Sequence, residues 1–243
     1  IKYFRGNYFG RWAQIKSVGN QMRKNKIIFF LIFLINPFFS YSHVNHYYKL
    51  KTIEMDIFRN GKKIGYNKYS FKNQNNLLVV QNEINFVAKL VGINLLDVKG
   101  SSTEIYKNGK LIKFKSNTIQ NKKKKYNELI LEKNKRNFKI KGSSYSGNAP
   151  STALVGNWWN HNILQSGIII SPLSGSLKFQ EIYFLSKEIL KINNNQYNTS
   201  KFKIVMRKNV DDKKKEEFYV WLDEKSKIIL KVSYSKIGNW EYI

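Results

Sequence analysis

TIEMDIFRNGKKIGYNKYSF, Thr52 to Phe71, is the stretch whose reading decides the fold. Ile53, Met55 and Ile57 alternate with Thr52, Glu54 and Asp56, the period-two pattern of a strand with one buried face. Asn60-Gly61 sits between two such runs. A two-residue type I′ turn needs positive φ at both central positions, and Asn-Gly adopts it readily. The return run, residues 64–71, sets Ile64 and Tyr66 opposite Gly65, Asn67 and Tyr69. The whole stretch predicts an antiparallel hairpin.

Working outward, the same grammar recurs. Leu78, Val80, Asn82, Ile84, Phe86 and Ala88 share one register of a long strand, and residues 93–106 read as another that bends at Gly100. Asn108-Gly109 makes a second turn, so residues 106–112 echo 58–64 without a fixed repeat period. Strands follow at 111–120, 126–133, 137–141, 180–190, 197–208, 218–222, 228–235 and 238–242. The run Lys122 to Lys125 reads as a solvated turn. Between the two strand groups, Ser151 can cap a helix over residues 151–165, with Leu154, Val155, Trp158, Trp159 and Ile163 on one face. The expected fold is mainly β: a strongly curved antiparallel meander or open half-barrel, with one helix packed on its concave face.

Residues 22–42 give the compartment. Arg23-Lys24-Asn25-Lys26 precedes thirteen largely apolar residues, Ile27 to Phe39, and then Ser40-Tyr41-Ser42. A basic start, a short apolar run and a small-x-small exit are the parts of a secretory signal peptide. A bilayer span takes about 20 apolar residues, so the run suits export better than anchoring, with a cut near Ser42/His43. Residues 1–21 read as an over-extended start ahead of Met22. Residues 43–243 are expected to form a single exported, periplasmic domain.

Composition narrows the chemistry. The chain has 43 Lys and Arg against 16 Asp and Glu, a net charge of +27. Seven of the basic residues and none of the acids lie in 1–42, which leaves +20 on 43–243. Only six are Arg, the better reader of phosphates and bases, and the Lys are spread among 29 Asn. A solvated basic surface is therefore expected, with weak attraction to anionic membrane or cell-wall surfaces and no nucleic acid. The absence of Cys removes disulfides and thiolate chemistry.

Trp158-Trp159-Asn160-His161 is the densest constellation, with Asn157 before it. Trp158, Trp159, His161 and Asn157 are the candidate ligand-binding residues, as indoles lining a pocket and polar groups at its mouth. The competing reading is a pair of core tryptophans. His161 has no sequence neighbours to complete a metal set, and HExxH, CxxC, GxSxG and phosphate-loop motifs are missing. Asp56, Asp97, Glu104, Asp223 and Glu241 are not paired by sequence, and Asp223 suits a turn. No cofactor, no metal and no enzymatic activity are expected. The expected function is a monomer that binds a lipid or other apolar or amphipathic ligand between sheet and helix. The alternative is a structural or assembly factor of the envelope with a basic surface.

The order of motifs resembles an exported bacterial family. It comprises the Asn-Gly hairpin with Gly61 and Gly65, the long meander, Pro150-Ser151 leading to Trp158-Trp159, and Tyr219-Val220-Trp221-Leu222-Asp223. That family is domain of unknown function 6134, distantly similar to number 3108, and the resemblance covers about residues 46–243. It implies a β-rich envelope protein and carries no catalytic residues. The layout is also similar to the half-barrel of periplasmic lipoprotein carriers.

Overall fold

A computed structural model describes residues 47, 49–132, 136–208 and 212–243. The signal segment and the residues before it lie outside the described residues. Residues 42–243 form one unit.

Fifteen strands make a single sheet. The first group is β1 (Thr52–Arg59), β2 (Lys62–Gln74), β3 (Leu77–Leu90), β4 (Ile93–Lys107), β5 (Lys110–Gln120), β6 (Lys123–Leu131), β7 (Asn137–Gly142) and β8 (Ser146–Pro150). After it come β9 (Leu154–Val155), β10 (Ile168–Ile170), β11 (Leu177–Ile192), β12 (Asn195–Arg207), β13 (Lys215–Asp223), β14 (Ile229–Ser235) and β15 (Asn239–Tyr242). The spatial order runs from β8 down to β1, then β15 down to β9. Two meanders thus meet at one seam, where Ile57, Phe58 and Arg59 of β1 pair with Tyr242, Glu241 and Trp240 of β15. Every pairing is antiparallel except β9 with β10.

The hairpin signals hold. Asn60 and Gly61 have φ of 50° and 75°, and Asn108 and Gly109 have 49° and 74°. Leu78, Val80, Phe86 and Ala88 are buried in one register, as the β3 alternation requires. The lysine run is corrected. Its turn is Asn121-Lys122, both at positive φ, and Lys123–Lys125 already belong to β6. Asp223 does serve a turn, accepting from the Ser226 N–H at 2.7 Å.

Connectivity forces the sheet to curl. Laid flat, fifteen strands would span roughly 65 Å at the usual inter-strand spacing. Yet β8 and β9 are the two edge strands, and only residues 151–153 join them. Such a link reaches at most about 14 Å. The two edges therefore face each other, and because β8 and β9 are not hydrogen-bonded to each other the sheet stays open.

The expected helix over 151–165 is not formed, and among the described residues there is no α-helix. The segment instead runs as β9, a loop, a five-residue 3-10 helix at His161–Gln165, and β10. Gly156 and Asn157 interrupt the apolar periodicity, and Asn160 bonds its own backbone two residues on, to Asn162 N. Gly costs about 1 kcal/mol in a helix interior, and Asn side chains compete for backbone groups. The loops of residues 156–167 and 171–176, on either side of β10, form a plug against the inner face of the sheet. Trp159 enters one core cluster with Tyr47, Phe71, Tyr106 and Phe114. Ile163 and Ile169 enter the other, with Met55, Ile204, Val220 and Trp240.

Candidate functional site

The plug is pinned by one carboxyl group. Alternation along β4 turns Ser102, Glu104 and Tyr106 inward. Glu104 Oε1 accepts from Asn157 Nδ2 at 2.6 Å and from Trp159 Nε1 at 2.8 Å, and Tyr106 donates to Oε2 at 2.5 Å. Burial, the largest influence, raises the Glu104 pKa above the ordinary carboxyl value, while the three donors pull it down. Glu104 is only 1% exposed. Two of its three partners come from the plug, so it ties the plug to the sheet.

The four residues singled out by sequence part company here. Trp159 is fully buried and packs edge-on against Tyr47, Phe71 and Tyr106 at 4.9, 5.4 and 5.6 Å between ring centres. His161 is buried, its Nδ1 2.9 Å from the Tyr47 hydroxyl, which also accepts from the His161 N–H. Trp159 and His161 thus face the core beside Tyr47. Asn157 and Trp158 line a cavity of about 250 Å³ between the plug and the inner face of β2–β5. Trp158, half-buried, also faces an outer cleft of about 1200 Å³.

The cleft and the cavity are neighbours. Leu96, Gln120, Trp158, Tyr234 and Tyr242 line both. The cleft wall is a chain of aromatic rings. Trp158 meets Phe218 at 5.7 Å, Phe218 meets Tyr234 at 5.1 Å, and Tyr234 stacks on Trp240 at 5.7 Å. Burial raises the Tyr242 hydroxyl to about 12, so it stays protonated. The lip is basic. Lys178 and Lys236 share Glu216, at 2.5 and 2.7 Å, and Lys215 meets Glu217 at 3.4 Å. Burial pushes the Glu216 carboxyl upward, but the two lysines outweigh it and hold it at about 2. Lys208, Lys213 and Lys214 also line the cleft and form no ion pair among the described residues.

Sequence reasoning missed Tyr47, Glu104, Phe218, Tyr234, Trp240 and Tyr242. The last three did carry a signal, since alternating aromatics on β14 and β15 turn to one face. Glu104 carried only a weak one, a lone acid at an inward position of a long strand.

Among the described residues, no three His, Asp or Glu side chains converge as a metal site. No curated protein and no solved structure matches the chain. A family model does match, over residues 55–243, and it covers the plug, every residue of the cleft described above and both meanders apart from the first three residues of β1. On that match the chain belongs to the family described as Domain of unknown function (DUF6134).

Proposed function

We propose that this is an exported, periplasmic protein that holds one amphipathic molecule with an acidic headgroup. The observation that carries this reading is the aromatic cleft of about 1200 Å³ that shares Trp158, Tyr234 and Tyr242 with the inner cavity. Ligand sites are mostly apolar clefts of several hundred Å³ with a few placed polar groups. The rings of Trp158, Phe218, Tyr234 and Trp240 offer the apolar wall. Lys208, Lys213 and Lys214, which form no ion pair among the described residues, offer positive charge at the lip, where an acidic group stays hydrated. The basic excess of residues 43–243 favours such ligands at longer range. The sequence reading set the site between sheet and helix; with no helix formed, this reading sets it between sheet and plug.

Native mass spectrometry with lipid extraction, on protein taken from the periplasm of an expressing bacterium, tests this. The expected result is a stoichiometric amphiphile that is lost in Trp158→Ala, on a chain beginning near His43. A wild-type protein with a clean ligand-free mass overturns the reading.

A further inference from the structure

A row of polar side chains crosses the inner face of the sheet. Tyr69 pairs with Asn82, Asn82 with Ser102, Ser102 with Ser116, and Ser116 with Asn127. Directly paired residues lie about 5 Å apart on one face, so β2 to β6 present a continuous polar stripe. Inner faces of sheets are ordinarily apolar, and a buried polar atom without a partner costs about 1–3 kcal/mol. The stripe therefore needs an explanation.

Its two ends are already engaged by the plug. Ser116 donates to the Pro172 carbonyl at 2.5 Å, and Asn127 donates to the Ser171 carbonyl at 3.0 Å. At the other end the Tyr69 hydroxyl accepts from Asn67 at 2.8 Å and from the Trp158 N–H at 3.3 Å. The middle is different. Ser102 is 8% exposed and its Oγ has no hydrogen-bond partner. The Tyr69 hydroxyl accepts twice, and its own proton has no acceptor among the described residues. Both residues line the 250 Å³ cavity, with Asn82 and Thr118 beside them. None of the residues lining that cavity is charged.

We infer that the middle of this row, between Tyr69 and Ser102, is a subsite for an uncharged hydroxyl carried at the buried end of the ligand. This rests on the cleft reading above and extends it to the far end of the molecule. A hydroxyl accepts the Tyr69 proton and exchanges a hydrogen bond with Ser102, since both partners can donate and accept. A charged group is refused, because the cavity offers no counter-charge and a buried lone charge is costly. A volume of about 250 Å³ also exceeds the roughly 30 Å³ share of one water, so it admits the end of a chain together with its hydroxyl. The preferred ligand class is thus an acid whose apolar body ends in a hydroxyl.

The test compares two probes, dodecanoate and 12-hydroxydodecanoate, by calorimetric titration of the delipidated full chain. The hydroxylated acid is expected to bind about fivefold more tightly, the worth of one net neutral hydrogen bond. Ser102→Ala is expected to weaken that preference while keeping dodecanoate binding, and an unweakened preference in this variant overturns the inference. It should also keep the wild-type Tm, since no hydrogen bond is lost; a clear drop would mean the hydroxyl is already engaged and overturns the inference. Equal binding of both acids to the wild type overturns the inference and leaves the cleft reading standing. If neither acid binds, the cleft reading falls and the inference falls with it. A preference that persists in the double variant Ser102→Ala with Tyr69→Phe also overturns it.

Discussion

Trp158 and Trp159 are adjacent in sequence and belong to different parts of the molecule. Trp159 sits in the core of the β2–β8 half, fully buried, its indole N–H spent on Glu104. Trp158 lies at the edge of the other core, against Phe218, with one side on the cleft. The first region is sealed by polar ties and edge-on rings. The second keeps a large aromatic surface in reach of solvent. Trp158 and Trp159 sit together in a turn between β9 and the 3-10 helix, and their rings leave it toward different cores, so one short plug seals one half and walls the opening of the other. Of the two readings of the tryptophan pair, the core one describes Trp159, while Trp158 is the indole that faces the cleft.

The comparison breaks most easily at Trp159. Trp159→Ala should cost about 3–5 kcal/mol by urea unfolding, the usual range for a fully buried Trp. Glu104→Ala should follow at about 3 kcal/mol, since it strands the donors of Asn157, Trp159 and Tyr106. Trp158→Ala should cost under about 2 kcal/mol, because the side chain is half-exposed, while abolishing ligand retention. Equal destabilisation by the two Trp variants would erase the distinction between the halves.

A pH series sharpens it further. Burial raises the Glu104 pKa in the folded state, so the native protein binds that proton more tightly than the unfolded chain. This contribution is fully present below the ordinary carboxyl range and is lost as pH rises through the raised value. Glu216, held at about 2, works the other way: its contribution is present above the ordinary range and is lost as pH falls toward 2. Glu104→Gln keeps an acceptor for Asn157 and Trp159 and, in place of the oxygen that accepted from Tyr106, offers an N–H to the Tyr106 oxygen. Chemical denaturation across pH 4–8 should therefore show the variant losing less stability toward the alkaline side than the wild type. An unchanged slope would mean that folding does not raise the Glu104 pKa. The smallest effect expected is Gly61→Ala in the first turn. A Cβ there meets nothing within 4 Å but must sit at φ +75°, at a cost of about 1 kcal/mol.

The strands were legible because their signals are local. Asn60-Gly61 and Asn108-Gly109 define turns by φ alone, and the β3 alternation needs no knowledge of its partners. The short strands β8, β9 and β10 were not legible, since two to five residues carry no period and depend on partners far along the chain. The helix failed for a related reason. An apolar stripe at helical spacing was counted, but Gly156, Asn157 and Asn160 break it from within, and the gain from burying Trp159 beneath Glu104 is tertiary. The polar stripe was hidden because Asn82, Ser102 and Ser116 look unremarkable singly and align only once the register between strands is known.

The seam between β1 and β15 also sets a timetable. Residues 57–59 must wait for residues 240–242, a separation that spans nearly the whole domain. Closing so long a loop is entropically late, and chains dominated by distant contacts fold in milliseconds to seconds where helical bundles take far less. The first meander can zip from hairpin to hairpin, but the two meanders join into one sheet only when β15 slots between β14 and β1. A chain that matures this late keeps its β1 edge unpaired for a long interval, which makes that edge the place where a stalled chain would aggregate.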